Sequence, residues 1–184
     1  MMTSNNDNEI VGDSIKEMEV VKIRKLFEEV FDPEIPVLSI IDLGIVRNIH
    51  LYPVPGESGW EGTVVITPTY SGCPAMDAMS MDIRLKLIEH GYKNIKVTSV
   101  LSPAWTTDWM SEAGKEKLKA YGIAPPHPKQ IVCETKLFAE SEAIQCPACN
   151  SYHTNLISRF GSTACKALYQ CQECKEPFDY FKCH

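Results

Sequence analysis

The sequence predicts an α+β architecture: a two-layer α/β sandwich, with helices over a small mixed sheet, followed by a compact cysteine-clamped C-terminal unit. Helix-like and strand-like stretches alternate over residues 14–122 in the order helix, strand, strand, helix, strand, helix. Cysteine placement divides the chain, because residues 1–132 contain only Cys73 and residues 133–184 contain the other seven. The 184-residue length, with 44% hydrophobic side chains, accommodates one ordinary domain and a small appendix.

The first helix is expected from Ser14-Ile15-Lys16-Glu17, a capping-box pattern, followed by Ile15, Met18, Ile23, Leu26, Phe27 and Val30 as an inner face. It should stop at Phe31, before Asp32-Pro33. Residues 45–52 and 62–67 are short runs rich in Val, Ile and Thr on either side of a turn-forming stretch, and read as an antiparallel pair. Residues 74–90 place Met76, Met79, Ile83, Leu87 and Ile88 on one helical side and end at Gly91. Residues 95–101 read as a third strand, parallel to the second because a helix joins them. Residues 107–121 read as a third helix that starts at a Thr/Asp cap and ends at Gly122. Trp105 and Trp109, at its start, are expected in the core rather than as a binding platform.

Residues 1–13 are expected as a flexible N-terminal tail, 14–124 as the α/β domain, 125–143 as a linker and 144–184 as the cysteine unit. The prolines of Gly122-Ile123-Ala124-Pro125-Pro126-His127-Pro128 favour an extended connector.

With 18 Lys+Arg against 24 Asp+Glu the net charge is −6, and residues 140–184 carry four basic and five acidic side chains. That balance argues against nucleic-acid binding, which needs a concentrated basic surface. No apolar stretch reaches the roughly 18 residues of a membrane span, and no secretory signal is expected in residues 1–13. A cytoplasmic location is therefore expected, where paired cysteines serve more often as metal ligands or reactive thiols than as disulfides.

Cys146-Pro147-Ala148-Cys149 and Cys171-Gln172-Glu173-Cys174 form two Cys-x-x-Cys turns separated by 21 residues. Each turn can aim two sulfurs at one point, and four thiolates at tetrahedral corners suit Zn²⁺. Strand-like residues 154–160 and 166–170 lie between the turns, broken by Gly161-Ser162, so the pattern predicts a zinc ribbon. Its metal is expected to be structural: about forty residues cannot stabilise themselves on an apolar core alone, and four thiolates leave no open position for catalysis. Iron is the alternative occupant of such a tetrahedron. Cys165 and Cys183 read as buried small apolar residues, extra soft ligands or a redox pair, Cys133 as a free linker thiol, and His184 as a solvated chain end.

Ser71-Gly72-Cys73-Pro74 sits between a strand and a helix. With Pro74 at the first helical position, Cys73 becomes the N-cap, where free amides and the helix dipole are expected to lower its thiol pKa. Gly72 would relieve crowding on the approach side. A thiolate there is a nucleophile or a soft-metal ligand; an ordinary buried cap is the plainer alternative. A Cys-His catalytic pair has little support, since His50, His90 and His127 are scattered over a strand, a helix end and the linker. Asp32, Glu34 and Asp42 read first as turn residues, and would supply oxygen ligands or proton acceptors if they lie near Cys73.

Through Asp32-Pro33-Glu34-Ile35-Pro36, Asp42-Leu43-Gly44 and the Thr67 to Pro74 stretch, residues 14–122 resemble the iron-sulfur cluster assembly domain family of the metal-sulfur cluster biosynthesis type. The cysteine unit, the Gly122 to Pro126 connector and the ending Phe178-Asp179-Tyr180-Phe181-Lys182-Cys183-His184 resemble the branch of that family tied to the multicomponent oxygenase of phenylacetate degradation, phenylacetyl-CoA epoxidase. The resemblance implies a helix-strand-strand-helix-strand fold. It implies a role in maturing or delivering an iron-sulfur cluster, with oxygenase subunits as partners and above all the iron-sulfur reductase subunit. It places the family's reactive cysteine on Cys73 and its acidic motifs on Asp32, Glu34 and Asp42. A transient iron or cluster follows, since one thiol suits passing or dimer-shared ligation better than storage, and a symmetric homodimer would bring two Cys73 thiolates together. The alternatives are an auxiliary subunit that takes part in turnover and a zinc-ribbon nucleic-acid module.

Overall fold

The structure, a computed structural model, describes residues 6–56, 58–126 and 144–182. Cys133, His127, Cys183 and His184 lie outside the described residues.

Helix α1 spans Asn6–Phe27. It runs through Ser14 instead of starting there and so enters the stretch expected as a tail, because a nucleated helix extends through polar residues at small cost per residue. Its buried stripe is Ile23, Phe27 and, one turn on, Val30, whereas Ile15 and Met18 of the expected inner face are exposed. The core begins only in the last third of the helix, where the chain meets the sheet. Residues 28–30 tighten into i→i−3 turns, with Val30 N–H donating to the Phe27 carbonyl at 3.3 Å, so the α-helix ends four residues before Phe31.

Strands β1 (Val46–Pro53) and β2 (Trp60–Ile66) pair antiparallel, from Val46 opposite Ile66 to Pro53 opposite Trp60. Helix α2 (Ala75–Glu89) crosses over to β3 (Asn94–Ser99), which pairs parallel to β2 and completes a sheet of order β1-β2-β3. Ala75, Met76, Met79, Ile83 and Leu87 of α2 are buried against the sheet. Ile88, expected beside them, is half exposed, because one residue past Leu87 turns about 100° away from the stripe.

The expected third helix is two pieces. Thr107–Trp109 is a single 3₁₀ turn, Met110 is extended, and α3 (Glu112–Ala120) starts from Ser111, whose side chain accepts from the Gly114 N–H at 2.9 Å. A serine cap thus takes the place assigned to the Thr/Asp pair. Trp105 is buried and donates from its indole N–H to the Leu43 carbonyl at 2.8 Å. Trp109 is half-buried under the Arg47 guanidinium, 3.3 Å from the ring centroid.

After α3 the chain forms β4 (Ile123–Ala124), and the C-terminal unit contributes β5 (Thr154–Ser158), β6 (Lys166–Cys171) and β7 (Pro177–Phe181). These make a second sheet of order β4-β7-β6-β5, with β4 parallel to β7 and the other pairs antiparallel. The start of the connector is therefore an edge strand that ties the two units together. The small sheet has its own apolar cluster of Ile144, Ala167, Tyr169, Phe178 and Tyr180, while Cys165 and Phe181 are buried in the core of the first unit.

Candidate functional site

The four cysteines of the two Cys-x-x-Cys turns come from two loops of nearly identical construction. Cys146 N–H donates to the Ser151 carbonyl at 2.8 Å and Cys171 N–H to the Glu176 carbonyl at 3.0 Å. The fourth residue after each leading cysteine, Asn150 and Lys175, has a left-handed backbone with φ 61° and 66°. The glutamine before each, Gln145 and Gln170, donates its amide to that residue's carbonyl at 3.1 Å. Each loop thus turns its two sulfurs toward the other loop.

Cys146 and Cys174 sulfurs stand 3.7 Å apart and those of Cys149 and Cys171 3.5 Å apart, with all four within 4.8 Å. A tetrahedron with Zn–S bonds of about 2.3 Å has edges of roughly 3.8 Å, so the sulfurs already stand at metal spacing. The donor set fits a structural tetrahedral ion: four thiols, two buried and two at the surface, closed to further ligands.

In the first unit, Cys73 lies one residue before the Pro74 cap of α2, half-buried, and its sulfur accepts from the Ala75 N–H and from the Tyr70 hydroxyl. Cys73 C=O accepts from Met76 N–H at 3.3 Å, which closes the first turn. Gly72 is required by its φ of +83° and not by crowding, since a side chain there would meet nothing within 4 Å.

The thiol pKa is raised, contrary to the sequence expectation. Burial disfavours the thiolate, the Ala75 amide and the Tyr70 hydroxyl act in its favour, and the carboxylates of Glu34 and Asp32 act against it. A helix terminus favours the thiolate and burial disfavours it, and at Cys73 burial is the larger effect. Tyr70, bonded to this sulfur and itself partly buried, is pushed the same way.

The three acidic residues divide into two groups. Asp32 is buried and its Oδ1 accepts from Glu34 N–H at 2.7 Å and Ile35 N–H at 3.1 Å, so it shapes the Pro33–Pro36 turn while its field reaches Cys73. Glu34 is half-buried and acts on the same sulfur. Asp42 is committed elsewhere: its carboxylate accepts from Ser39 Oγ at 2.8 Å, Ser39 N–H at 3.0 Å, Ser111 Oγ at 3.0 Å and Lys117 Nζ at 2.6 Å. Burial would raise its pKa, but these bonds outweigh it and hold the carboxyl below the usual carboxylate range. Asp42 fixes the Ile41–Gly44 turn to α3, and Gly44, at φ +67°, lets the Trp109 carbonyl approach where a side chain would clash.

Sequence reasoning did not single out Tyr70 or the Ser39, Ser111 and Lys117 partners of Asp42, whose separations along the chain carry no periodic signal. His50 is exposed on β1, and His90 caps α2 with Nδ1 2.9 Å from the Lys86 carbonyl. Cys165 is buried with its sulfur 3.0 Å from the Thr163 hydroxyl.

Residues 21–101 match the family described as "Iron-sulfur cluster assembly protein", and residues 131–182 the "PaaD zinc beta ribbon domain". The chain is 50% identical over 165 residues to an Escherichia coli (strain K12) protein named as one subunit of a "Putative 1,2-phenylacetyl-CoA epoxidase", covering 90% of this chain and 93% of that one. It is 37% identical over 91 residues to the "Fe-S protein maturation auxiliary factor" of Porphyromonas gingivalis (strain ATCC BAA-308 / W83), covering 49% of this chain and 81% of that one. Among solved structures, a DUF59 domain from Bacillus anthracis aligns with a TM-score of 0.46 at 26% identity, over 53% of this chain and 88% of that one. With half its residues shared across nearly the whole of both chains, the protein belongs to the iron-sulfur assembly-domain family, in the branch that carries the PaaD zinc ribbon and includes the Escherichia coli epoxidase component.

Proposed function

We propose that this protein matures or delivers an iron-sulfur cluster for a multicomponent phenylacetyl-CoA epoxidase, and is not catalytic by itself. The observation that carries the reading is the Cys73 sulfur, half-buried at the start of α2, bonded to the Ala75 amide and Tyr70 hydroxyl and within the electrostatic field of Glu34 and Asp32. A soft donor on a rigid helix start can take iron from a donor and pass it on, and the neighbouring carboxylates favour an incoming cation over an ionised thiol alone. The iron or cluster is cargo. The zinc held by Cys146, Cys149, Cys171 and Cys174 is structural, supplying the fold of the small unit and no chemical step. The names of the two relatives point the same way, one to the epoxidase and the other to maturation of iron-sulfur proteins.

A cytoplasmic setting suits free thiols handling a reduced metal. The iron-sulfur reductase subunit is the expected client. Reconstitution tests the reading: apo reductase, supplied with iron, sulfide and reductant, should gain its cluster faster with this chain than without it. The second reading, supported by the naming of the Escherichia coli relative as part of the epoxidase, is an auxiliary component that stays in the complex during turnover. Under the first reading an already matured epoxidase turns over unaided; under the second it requires this chain throughout.

A further inference from the structure

Helix α2 is apolar on two opposite sides. Ala75, Met76, Met79, Ile83 and Leu87 form its buried stripe, and Ala78, Met81, Leu85 and Ile88 form a second one centred roughly 180° away around the helix. That outer stripe is open: Met81 is 54%, Leu85 50% and Ile88 48% exposed, and Ala78 is exposed beside them. Exposed apolar side chains scattered singly are ordinary, whereas a row of them opposite the core leaves a helix with a face that lacks a partner. Their spacings of three, four and three residues are those of a seam that receives a second helix, over about 15 Å of helix axis. Exposed charges border the seam, Asp77 and Arg84 along one side and Asp82 and Glu89 along the other. One turn before Ala78 lies exposed Pro74, and next to it Cys73.

We infer that the outer face of α2 is the surface on which the client docks, and that it takes an amphipathic client helix whose apolar stripe is bordered by Lys or Arg. The inference rests on the proposed delivery role of Cys73 and names the kind of element the client would present. Three carboxylates against one guanidinium border the seam, in a chain of net charge −6, so a basic helix is attracted where an acidic one is repelled. A second copy of this chain is the poorer occupant. It brings the same excess of carboxylates, and the seam with its borders falls well short of the roughly 20–30 residues a side of a stable interface. A small contact suits a client that has to leave once it is loaded. A helix laid along the seam reaches the loop that carries Cys73, so the same contact brings the client toward the sulfur.

The test is the rate at which apo reductase acquires its cluster, measured at rising reductase concentration with the zinc-loaded full chain. The parent is compared with a Met81→Gln/Leu85→Gln double variant and with an Asp82→Lys/Glu89→Lys double variant. Zinc content and circular dichroism report folding. The apolar variant should raise the half-saturating reductase concentration about tenfold or more and reach the parent's rate at saturation, whereas Cys73→Ser loses the rate at every concentration. The charge-reversed variant should also raise it, and more at low salt than at high salt. Half-saturation unchanged in the apolar variant would overturn the docking surface and leave the role of Cys73 standing. A lower half-saturating concentration on charge reversal would overturn the basic partner. Sedimentation that shows a parent dimer, dissolved by the apolar variant, would give the seam to a second copy and overturn the client helix. No acceleration by the parent at any reductase concentration would overturn the delivery role and the seam with it. Should the apolar double variant misfold, Ile88→Gln takes its place with the same expectation.

Discussion

The ring of Phe181, from the last strand of the ribbon sheet, meets Trp105 of the first unit edge-on, with centroids 6.1 Å apart and planes at 68°. Both rings are almost fully buried, and Trp105 is fixed by its bond to the Leu43 carbonyl. Together with the β4–β7 pairing, this makes the two units one packed body at their junction.

Phe181→Ala should therefore destabilise the first unit as well as the ribbon, by about 3–5 kcal/mol for a buried Phe truncated to Ala. Chemical denaturation followed by tryptophan fluorescence, with Trp105 as a reporter at the contact, measures it. A loss under about 1 kcal/mol, the size of an ordinary surface change, would show that the units fold independently.

The Asp42 network is the clearest source of acid sensitivity. Its carboxyl lies below the ordinary carboxylate range in the folded chain, so its contribution is present above the unfolded pKa and is lost as pH falls through the lower folded value. Lys117→Met removes a partner that lowers the Asp42 pKa, so acid unfolding should begin at a higher pH, read by circular dichroism from about pH 7 down to about pH 2. Asp42→Ala leaves the buried Ser39 amide unpartnered and should cost roughly 2–3 kcal/mol at neutral pH.

Reactivity at Cys73 should move in opposite directions on two substitutions. Tyr70→Phe removes a hydrogen bond that favours the thiolate and should slow alkylation by iodoacetamide at about pH 8; Glu34→Gln removes an opposing charge and should speed it. Peptide mass spectrometry of the Cys73 label over time separates the two.

Under the zinc assignment, a strong chelator or Cys171→Ser should unravel the two Cys-x-x-Cys loops, because metal binding free energy is folding free energy in so small a module. Hydrogen exchange should show early loss of protection at the Cys146 and Cys171 amides, which close the loops in the folded state. Protection in β1 to β3 should persist. Unchanged exchange at both loops after verified zinc loss would contradict a structural role for the metal.

The order of elements was legible because the segments that carry it are self-announcing: β-branched runs for β1 and β2, and the Met76, Met79, Ile83, Leu87 stripe for α2. The third helix was not, because the extended Met110 and the Ser111 cap interrupt a stretch whose composition suits a helix throughout. The start of α1 was misplaced for a related reason: a capping box is a local pattern that a longer helix can simply run through. β7 went unassigned, since Pro177 to Phe181 alternates over only five residues and gains strand character from its two neighbours. At the candidate site, spacing brought out the four ribbon cysteines, and the loop chemistry brought out Cys73. Its raised pKa and the diversion of Asp42 to Lys117 are products of tertiary packing. Local sequence reports a helix dipole but not the burial that outweighs it.

A Cys73 sulfur that handles the cargo, as proposed, should control how fast a client gains its cluster. The most direct measurement is the rate at which the apo reductase acquires its cluster, followed by visible absorption, with the parent chain or with Cys73→Ser at equal zinc content and equal stability. Cys73→Ser should lower the rate to that of the reaction without any added chain. A rate equal to the parent's would contradict it.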